Sequence, residues 1–296
     1  MNYTYNPLTN SFTVVQAEAN NQESFSLPHL VWVITDKCFN HCPFCFQPKT
    51  STEINTDSIK ETISLFKMLR VKKIDISGGE PLFYNDLILI IESLLENGIN
   101  VTISTTGTGL PKNQQWVVDN ASLLSRVIIS LNGANSDQVD SIYGNKGAYQ
   151  SFASFVNHLQ DHGCSNLRIN TVVTRLLLDE NTFQSMIVTV NKIKPLEWCL
   201  IEPHPDNKLP TFDDYAVSSE IFDSFTQKAR LAVNDSHISV ILRSIKNYTG
   251  YWILNPDGNI MLHSDGSHLP FSYRFDSTTL PLIVAKSQEV GLWIPV

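Results

Sequence analysis

Six times between residues 31 and 232 the chain passes from a short β-branched or apolar run to a longer segment of helical period. Strands are predicted over 31–35, 73–77, 101–105, 126–131, 167–173 and 197–202. Between and after them, helices are predicted from Thr56-Asp57-Ser58, over 86–97, 112–121, 147–161, 180–193 and 216–232. In the first helix Ile59, Ile63, Phe66 and Leu69 fall along one face. A strand that returns through a helix pairs parallel to its predecessor, by a right-handed crossover. The class is therefore α/β, and six such units are two short of a closed eight-fold barrel.

The flanks differ. Residues 1–29 are a polar extension, in which Tyr3-Thr4-Tyr5 and Phe12-Thr13-Val14-Val15 bracket a turn-like Asn6-Pro7-Leu8-Thr9-Asn10, the pattern of a hairpin or flap. Residues 30–235 carry the strand–helix units. In residues 236–296, three short runs (238–242, 250–254 and 259–263) read as antiparallel strands, with Asn255-Pro256-Asp257-Gly258 as the tight turn of a hairpin that closes the barrel.

Three of the five cysteines lie within eight residues, Cys38-Phe39-Asn40-His41-Cys42-Pro43-Phe44-Cys45, directly after the first strand. Thiolates ligate iron–sulfur clusters, and three of them leave one iron of a four-iron cluster without a protein ligand. An open metal position marks a catalytic rather than a structural site. The surrounding chain is that of a globular protein, 42% hydrophobic and 17% charged. Its net charge of −8 argues against a broad nucleic-acid surface. No run is long and apolar enough for a membrane helix, and the N-terminus lacks the pattern of a signal peptide. Clustered thiols then point to a reducing, cytoplasmic setting and a metal rather than to disulfides.

The C-x3-C-x2-C spacing with an aromatic before the last cysteine resembles the radical S-adenosylmethionine (SAM) superfamily, whose fold is a partial (β/α)6 TIM-like barrel. The resemblance implies one [4Fe–4S] cluster on Cys38, Cys42 and Cys45, with SAM on the open iron and Phe44 near the adenine. It implies reductive cleavage of SAM to a 5′-deoxyadenosyl radical, and with it a reductase or flavodoxin-type electron donor. Gly78-Gly79-Glu80-Pro81, at the end of the second strand, matches the family's methionine-amine motif. Thr105, at the end of the third strand, lies in Ser104-Thr105-Thr106-Gly107, where relatives often carry an asparagine; it is expected to contribute to the SAM pocket. Ser130, ending the fourth strand, is expected at the ribose or carboxylate of SAM. Arg175, after the fifth, is placed to pair with the SAM carboxylate. No cysteine occurs in the tail, so a single cluster is expected.

The substrate falls to the fifth and sixth strands. The chain is most similar there to viperin-like and molybdopterin-synthase-like enzymes, through 75–81, 168–173, 195–198 and 251–254. Arg168 and Asn170 share one strand face and keep the pattern that faces a nucleotide in viperins. Glu197 and Cys199 depart from it, since they stand where basic residues flank the tryptophan, and a carboxylate facing a triphosphate is repulsive. Cys199 fills core volume, or, on a cavity face, returns a hydrogen atom to a substrate radical; Glu197 would then bind an amine or act as a base. Three readings stay open. One is hydrogen abstraction from a small polar, nucleotide-like substrate. The second is a peptide-modifying epimerase or cross-linking maturase. The third is a non-enzymatic iron–sulfur electron-transfer or sensor protein. Glu202 and His204, His263 and His268, and Tyr143 and Tyr149 are weaker candidates, explained as well by loops, turns and packing.

Overall fold

The computed structural model describes residues 2–6, 11–15, 25–45, 47, 50–203, 212–245, 250–264, 267–292 and 294–295. At the start, β1 (Asn2–Asn6) and β2 (Ser11–Val15) pair antiparallel with Tyr3 opposite Val14, as a hairpin requires. The two-residue strand β3 (Phe25–Ser26) leads into the main sheet.

That sheet begins with β4 (Leu30–Val33), β5 (Lys73–Ser77), β6 (Asn100–Thr105), β7 (Arg126–Ser130), β8 (Leu167–Val172) and β9 (Glu197–Ile201). Each is parallel to the next, in chain order. The connections carry α1 (Ile59–Met68), α2 (Leu87–Glu96), α3 (Pro111–Asp119), α4 (Ser136–Tyr143), α5 (Ala148–Asp161) and α6 (Glu180–Ile193). The short α7 (Phe212–Tyr215) and α8 (Ser219–Ala232) follow β9. Helix α4 falls between the strand predicted over 126–131 and the helix predicted over 147–161, where no element is predicted. It is eight residues long with few apolar positions, and its start is fixed by Asn135, whose side chain accepts from Gln138 N at 3.0 Å.

The alternation in the strands has one sense throughout. Ile74 and Ile76, Val101 and Ile103, Val127 and Ile129, and Leu167 and Ile169 are buried in the core shared with the helices. Each such burial contributes about 1.5–3 kcal/mol. The alternate residues of the same strands, among them Lys73, Asp75, Thr102, Arg126 and Arg168, line a cavity of about 690 Å³. The barrel interior is thus hollow, with charged and polar side chains set among apolar ones such as Val31, Ile128 and Leu242, and the main hydrophobic core lies outside it.

The tail corrects the expectation of three antiparallel strands. β10 (Ser239–Arg243) is parallel to β9, with Ser239 opposite Glu197, because α8 makes one more strand–helix crossover. β11 (Tyr251–Leu254) is parallel to β4 on the opposite side, with Trp252 opposite Leu30. β12 (Asn259–Ser264) runs antiparallel to β11, as the predicted hairpin requires, and β13 (Ser267–Arg274) runs antiparallel to β12. The six units therefore gain a parallel strand on each flank. Among the described residues β10 ends the sheet on one side, so eight parallel strands form a barrel left open between β10 and β11. Helix α9 (Leu280–Glu289) packs beneath the tail, its Ser287 Oγ accepting from the buried Trp252 indole at 2.8 Å. β14 (Ile294–Pro295) pairs antiparallel with β3.

Candidate active site

Cys38, Cys42 and Cys45 follow the C-terminal end of β4 and open on the cavity; all three are half-buried and outside any disulfide. The loop that carries them is anchored on two sides. Towards β5, Gly79 N donates to Thr35 O at 2.7 Å and Glu80 N to Lys37 O at 2.8 Å. Towards α4, His41 N donates to Tyr143 O at 2.6 Å, and the buried Asn40 side chain accepts from Asn145 at 2.9 Å. Asn40 N lies 3.4 Å from Cys38 Sγ, a donor of the kind that tunes a cluster's potential.

Gly78 and Gly79 line the cavity as expected, and their absent side chains have a second use. A Cβ at Gly78 would strike Thr35 O, and one at Gly79 would strike Lys37 O. Glycine here lets the end of β5 press against the cysteine loop. The Glu80 carboxylate does not reach into the cavity for an ammonium. It is buried and accepts from Leu82 N at 3.2 Å, Thr106 N at 2.7 Å, Thr106 Oγ1 at 2.5 Å and Thr105 Oγ1. Burial pushes the Glu80 carboxyl up, against the hydrogen bonds from Thr105 and Thr106. Glu80 thus ties the end of β5 to the end of β6. Of this loop, Ser77, Gly78 and Gly79 border the cavity and Glu80 does not.

Phe44, Thr105 and Ser130 also line the cavity. Thr105 Oγ1 is held between Glu80 and Gly107 N, the latter at 2.9 Å. Ser130 O accepts from Tyr143 Oη at 3.1 Å, and Tyr143 also meets Asn132 at 3.2 Å. Tyr143 is therefore both a cavity wall and a brace between the cysteine loop and β7. Tyr149 packs on Phe152 instead, with ring centroids 6.0 Å apart. Arg175 is a correction. It is exposed, absent from the cavity wall, and its Nε donates to Ala216 O at 2.7 Å.

Of the substrate candidates, Arg168 and Asn170 both line the cavity, with Arg168 Nε on Asn170 Oδ1 at 2.8 Å. Glu197, at the N-terminal end of β9, pairs with Arg126 at 2.8 Å and Arg168 at 3.7 Å. Its carboxylate is neutralised beneath the cavity, so it does not confront a ligand as a bare negative charge. Cys199 is fully buried beside Arg168 and does not line the cavity. Burial pushes its thiol up, which keeps it protonated. Cys164 lies half-buried on the opposite rim, its Sγ donating to Asn166 Oδ1 at 3.1 Å. Glu202 does border the cavity, but its carboxylate accepts from Ser219 Oγ at 2.6 Å and Ile245 N at 2.8 Å. His204 and the side chain of His268 lie outside the described residues.

Several cavity residues went unread in the sequence. Lys73, Asp75, Ser104 and Arg126 follow the polar-alternate rule of their strands, a signal that was present. Arg243 and Tyr251 come from the tail, as does His263, a weaker candidate above that lies in β12 and not in a turn. His263 stacks on Tyr251 with centroids 5.3 Å apart, and Tyr251 lies 6.2 Å from the His29 ring. Asp75 accepts from Ser104 at 3.0 Å, and burial pushes its carboxyl up to about 6. Burial, aided by Lys73 and Arg243, lowers His29 to about 4, so its ring is neutral at pH 7.

Three thiols at the mouth of one cavity are the donor set of an iron–sulfur cluster, which takes one thiolate per iron. Among the described residues no three His, Cys, Asp or Glu side chains converge as a single metal ion would need. Separate ligands on separate irons do not require that convergence.

Comparison with known proteins agrees with this geometry. The model of a family described as the radical SAM superfamily matches residues 32–193. A GTP 3′,8-cyclase from Petrotoga mobilis is 29% identical over 211 residues, covering 69% of this chain and 64% of that protein. An AdoMet-dependent heme synthase from Nitratidesulfovibrio vulgaris is 25% identical over 200 residues, covering 66% of this chain and 53% of that protein. The chain thus spans about half to two thirds of the length of these curated relatives. Among solved structures, Streptococcus suis SuiB superposes with a TM-score of 0.64 at 15% identity, over 79% of this chain and 60% of SuiB. The fold, a parallel α/β partial barrel, is common to both.

Proposed function

This chain belongs to the radical SAM superfamily, and from that premise we propose that it is an enzyme with one [4Fe–4S] cluster, acting on a small polar substrate in the barrel. The observation that carries the reading is the single cavity shared by Cys38, Cys42 and Cys45, the Gly78–Gly79 backbone, and Arg168 with Asn170. A cluster on the three thiolates, with SAM bound to it, would supply one-electron cleavage of SAM to a 5′-deoxyadenosyl radical that removes hydrogen from the substrate. The chain's own residues hold the parts. Gly78 and Gly79 present carbonyls to the methionine amine, while Glu80, Thr105 and Thr106 fix that loop from behind. Phe44 and Ser130 form the walls on either side of the SAM site. Arg168 and Asn170 orient the substrate below. The electron would come from a reductase or flavodoxin-type donor.

Of the peptide-modifying readings, epimerisation calls for a hydrogen-atom donor, and the full burial of Cys199 and its absence from the cavity wall favour a core-filling role instead. A cross-linking maturase returns no hydrogen atom to its substrate and does not depend on Cys199. A non-enzymatic electron carrier would have no use for a 690 Å³ cavity under the cysteine loop. Anaerobic reconstitution with iron and sulfide, followed by SAM and dithionite, tests the proposal. 5′-Deoxyadenosine is expected from the wild type and none from Cys42→Ala. No 5′-deoxyadenosine from a fully reconstituted wild-type protein would refute it.

A further inference from the structure

The departure at Glu197 and Cys199 argued against an anionic substrate, because two expected cations are missing from β9. The tertiary structure replaces them from elsewhere. Lys73 on β5, Arg126 on β7 and Arg168 on β8 line the cavity near the starts of their strands, and Arg243, from the end of β10, joins them on the side of Tyr251 and His29. Two carboxylates stand among them, Asp75 and, just beneath, Glu197. Four cations against these two carboxylates leave two formal positive charges there, in a chain whose net charge is −8; the third cavity carboxylate, Glu202, is held by Ser219 and Ile245. Arg243 reaches across the open seam of the barrel to within 5.8 Å of the Tyr251 ring, and acts electrostatically on His29, Asp75 and Cys199.

Like charges gathered in a half-enclosed space raise the free energy of the folded state unless something offsets them. Two observations mark this cluster as under-neutralised. Lys73 is lowered from its ordinary value by burial, and Arg126 and Arg168 push it the same way. Arg126 Nε is a buried donor with no hydrogen-bond partner. An oxyanion supplies negative charge and acceptor lone pairs together.

We propose that the cavity floor formed by Lys73, Arg126 and Arg168, with Arg243 beside it, binds an oxyanion, phosphate or carboxylate, carried by the substrate at the end remote from the reacting hydrogen. From Arg126 to Ser130, β7 rises four residues, roughly 13 Å at about 3.3 Å per residue. The oxyanion therefore sits on the order of 10 Å below the rim where the cysteines open. The substrate is an elongated anion, gripped at its charged end and attacked near the other. This rests on the reading above that the cavity is the substrate site, and adds the chemical class of what fills it.

Calorimetric titration of the cluster-reconstituted protein, without SAM or reductant, tests the inference with inorganic phosphate and succinate as probes and sodium chloride held constant. At least one probe should bind, and the tighter of the two identifies the source as phosphate ester or carboxylate. Arg243→Gln should weaken that binding about tenfold. Asp75→Asn, which removes a negative charge from the same floor, should tighten it several-fold. Opposite signs from two variants of one site separate charge recognition from damage to the fold, and melting curves of both establish that they are folded. If neither probe binds at up to ten-millimolar concentrations, or if both variants bind as the wild type does, the inference is wrong. Failure of SAM cleavage would leave these titrations untouched. Loss of anion binding with 5′-deoxyadenosine formation intact would refute only the anion floor.

Discussion

Glu80 shows how one buried carboxylate can organise a site without touching its ligand. Four donors from Leu82, Thr105 and Thr106 converge on it, so a neutral isostere cannot satisfy them all. Glu80→Gln places an amide donor against a donor and should cost about 1–3 kcal/mol of stability. Chemical denaturation will measure that loss. SAM affinity should fall with it, because the Gly78–Gly79 backbone loses its support. Asp75 behaves differently. With its carboxyl pushed up to about 6 in the folded chain against 3.8 as the ordinary value, the folded state holds more protons than the unfolded state between about pH 4 and 6. Stability therefore falls as pH rises through that window and stays lower above it. Asp75→Asn should flatten this slope and raise stability at pH 8 by about 1–2 kcal/mol, after allowance for its contact with the cavity. A melting-temperature profile from pH 4.5 to 8 that is parallel in both proteins would contradict this.

The cysteine loop works as an element because α4 and the end of β5 hold it from opposite sides. Tyr143 is the brace on the α4 side, with its carbonyl on His41 N and its hydroxyl between Ser130 O and Asn132. Tyr143→Phe keeps the ring and removes the hydroxyl. The expected loss is about 1 kcal/mol, with faster release of iron to a chelator, followed at 420 nm. Equal release rates would mean that the brace does not reach the cluster. The element was half visible beforehand. The cysteine spacing and Gly78-Gly79-Glu80 announced themselves, whereas α4 is short and polar and takes its meaning from contacts with the loop more than 90 residues before it.

For the whole molecule, the tail completes the barrel. β10 and β11 extend the sheet on its two sides, and Trp252 is buried between β4 and α9. Trp252→Ala should cost about 3–5 kcal/mol, as for a large core aromatic. Truncation after residue 235 would also bare the edges of β4 and β9 and remove Arg243 and Tyr251 from the cavity. Such a fragment is expected to aggregate, which size-exclusion chromatography and circular dichroism would reveal. Among the described residues no helix is long and apolar enough to cross a membrane.

The sequence by itself determined the strand–helix rhythm, the parallel sheet and the cysteine motif, because each rests on local spacing: period two, period 3.6 and C-x3-C-x2-C. It also placed Arg168, Asn170, Gly78, Gly79 and Ser130, since these end or line strands whose register the alternation fixes. Tertiary structure alone decided the rest. β10 follows the strand–helix rule through α8, but whether β11 runs parallel depends on which edge it reaches, and no local pattern records an edge. Arg175 turned to Ala216 because a nearby carbonyl was in reach, and Glu197 was neutralised by Arg126 from 71 residues away. The charge of the cavity is a sum over strands far apart in the chain, so it came into being only when the barrel formed.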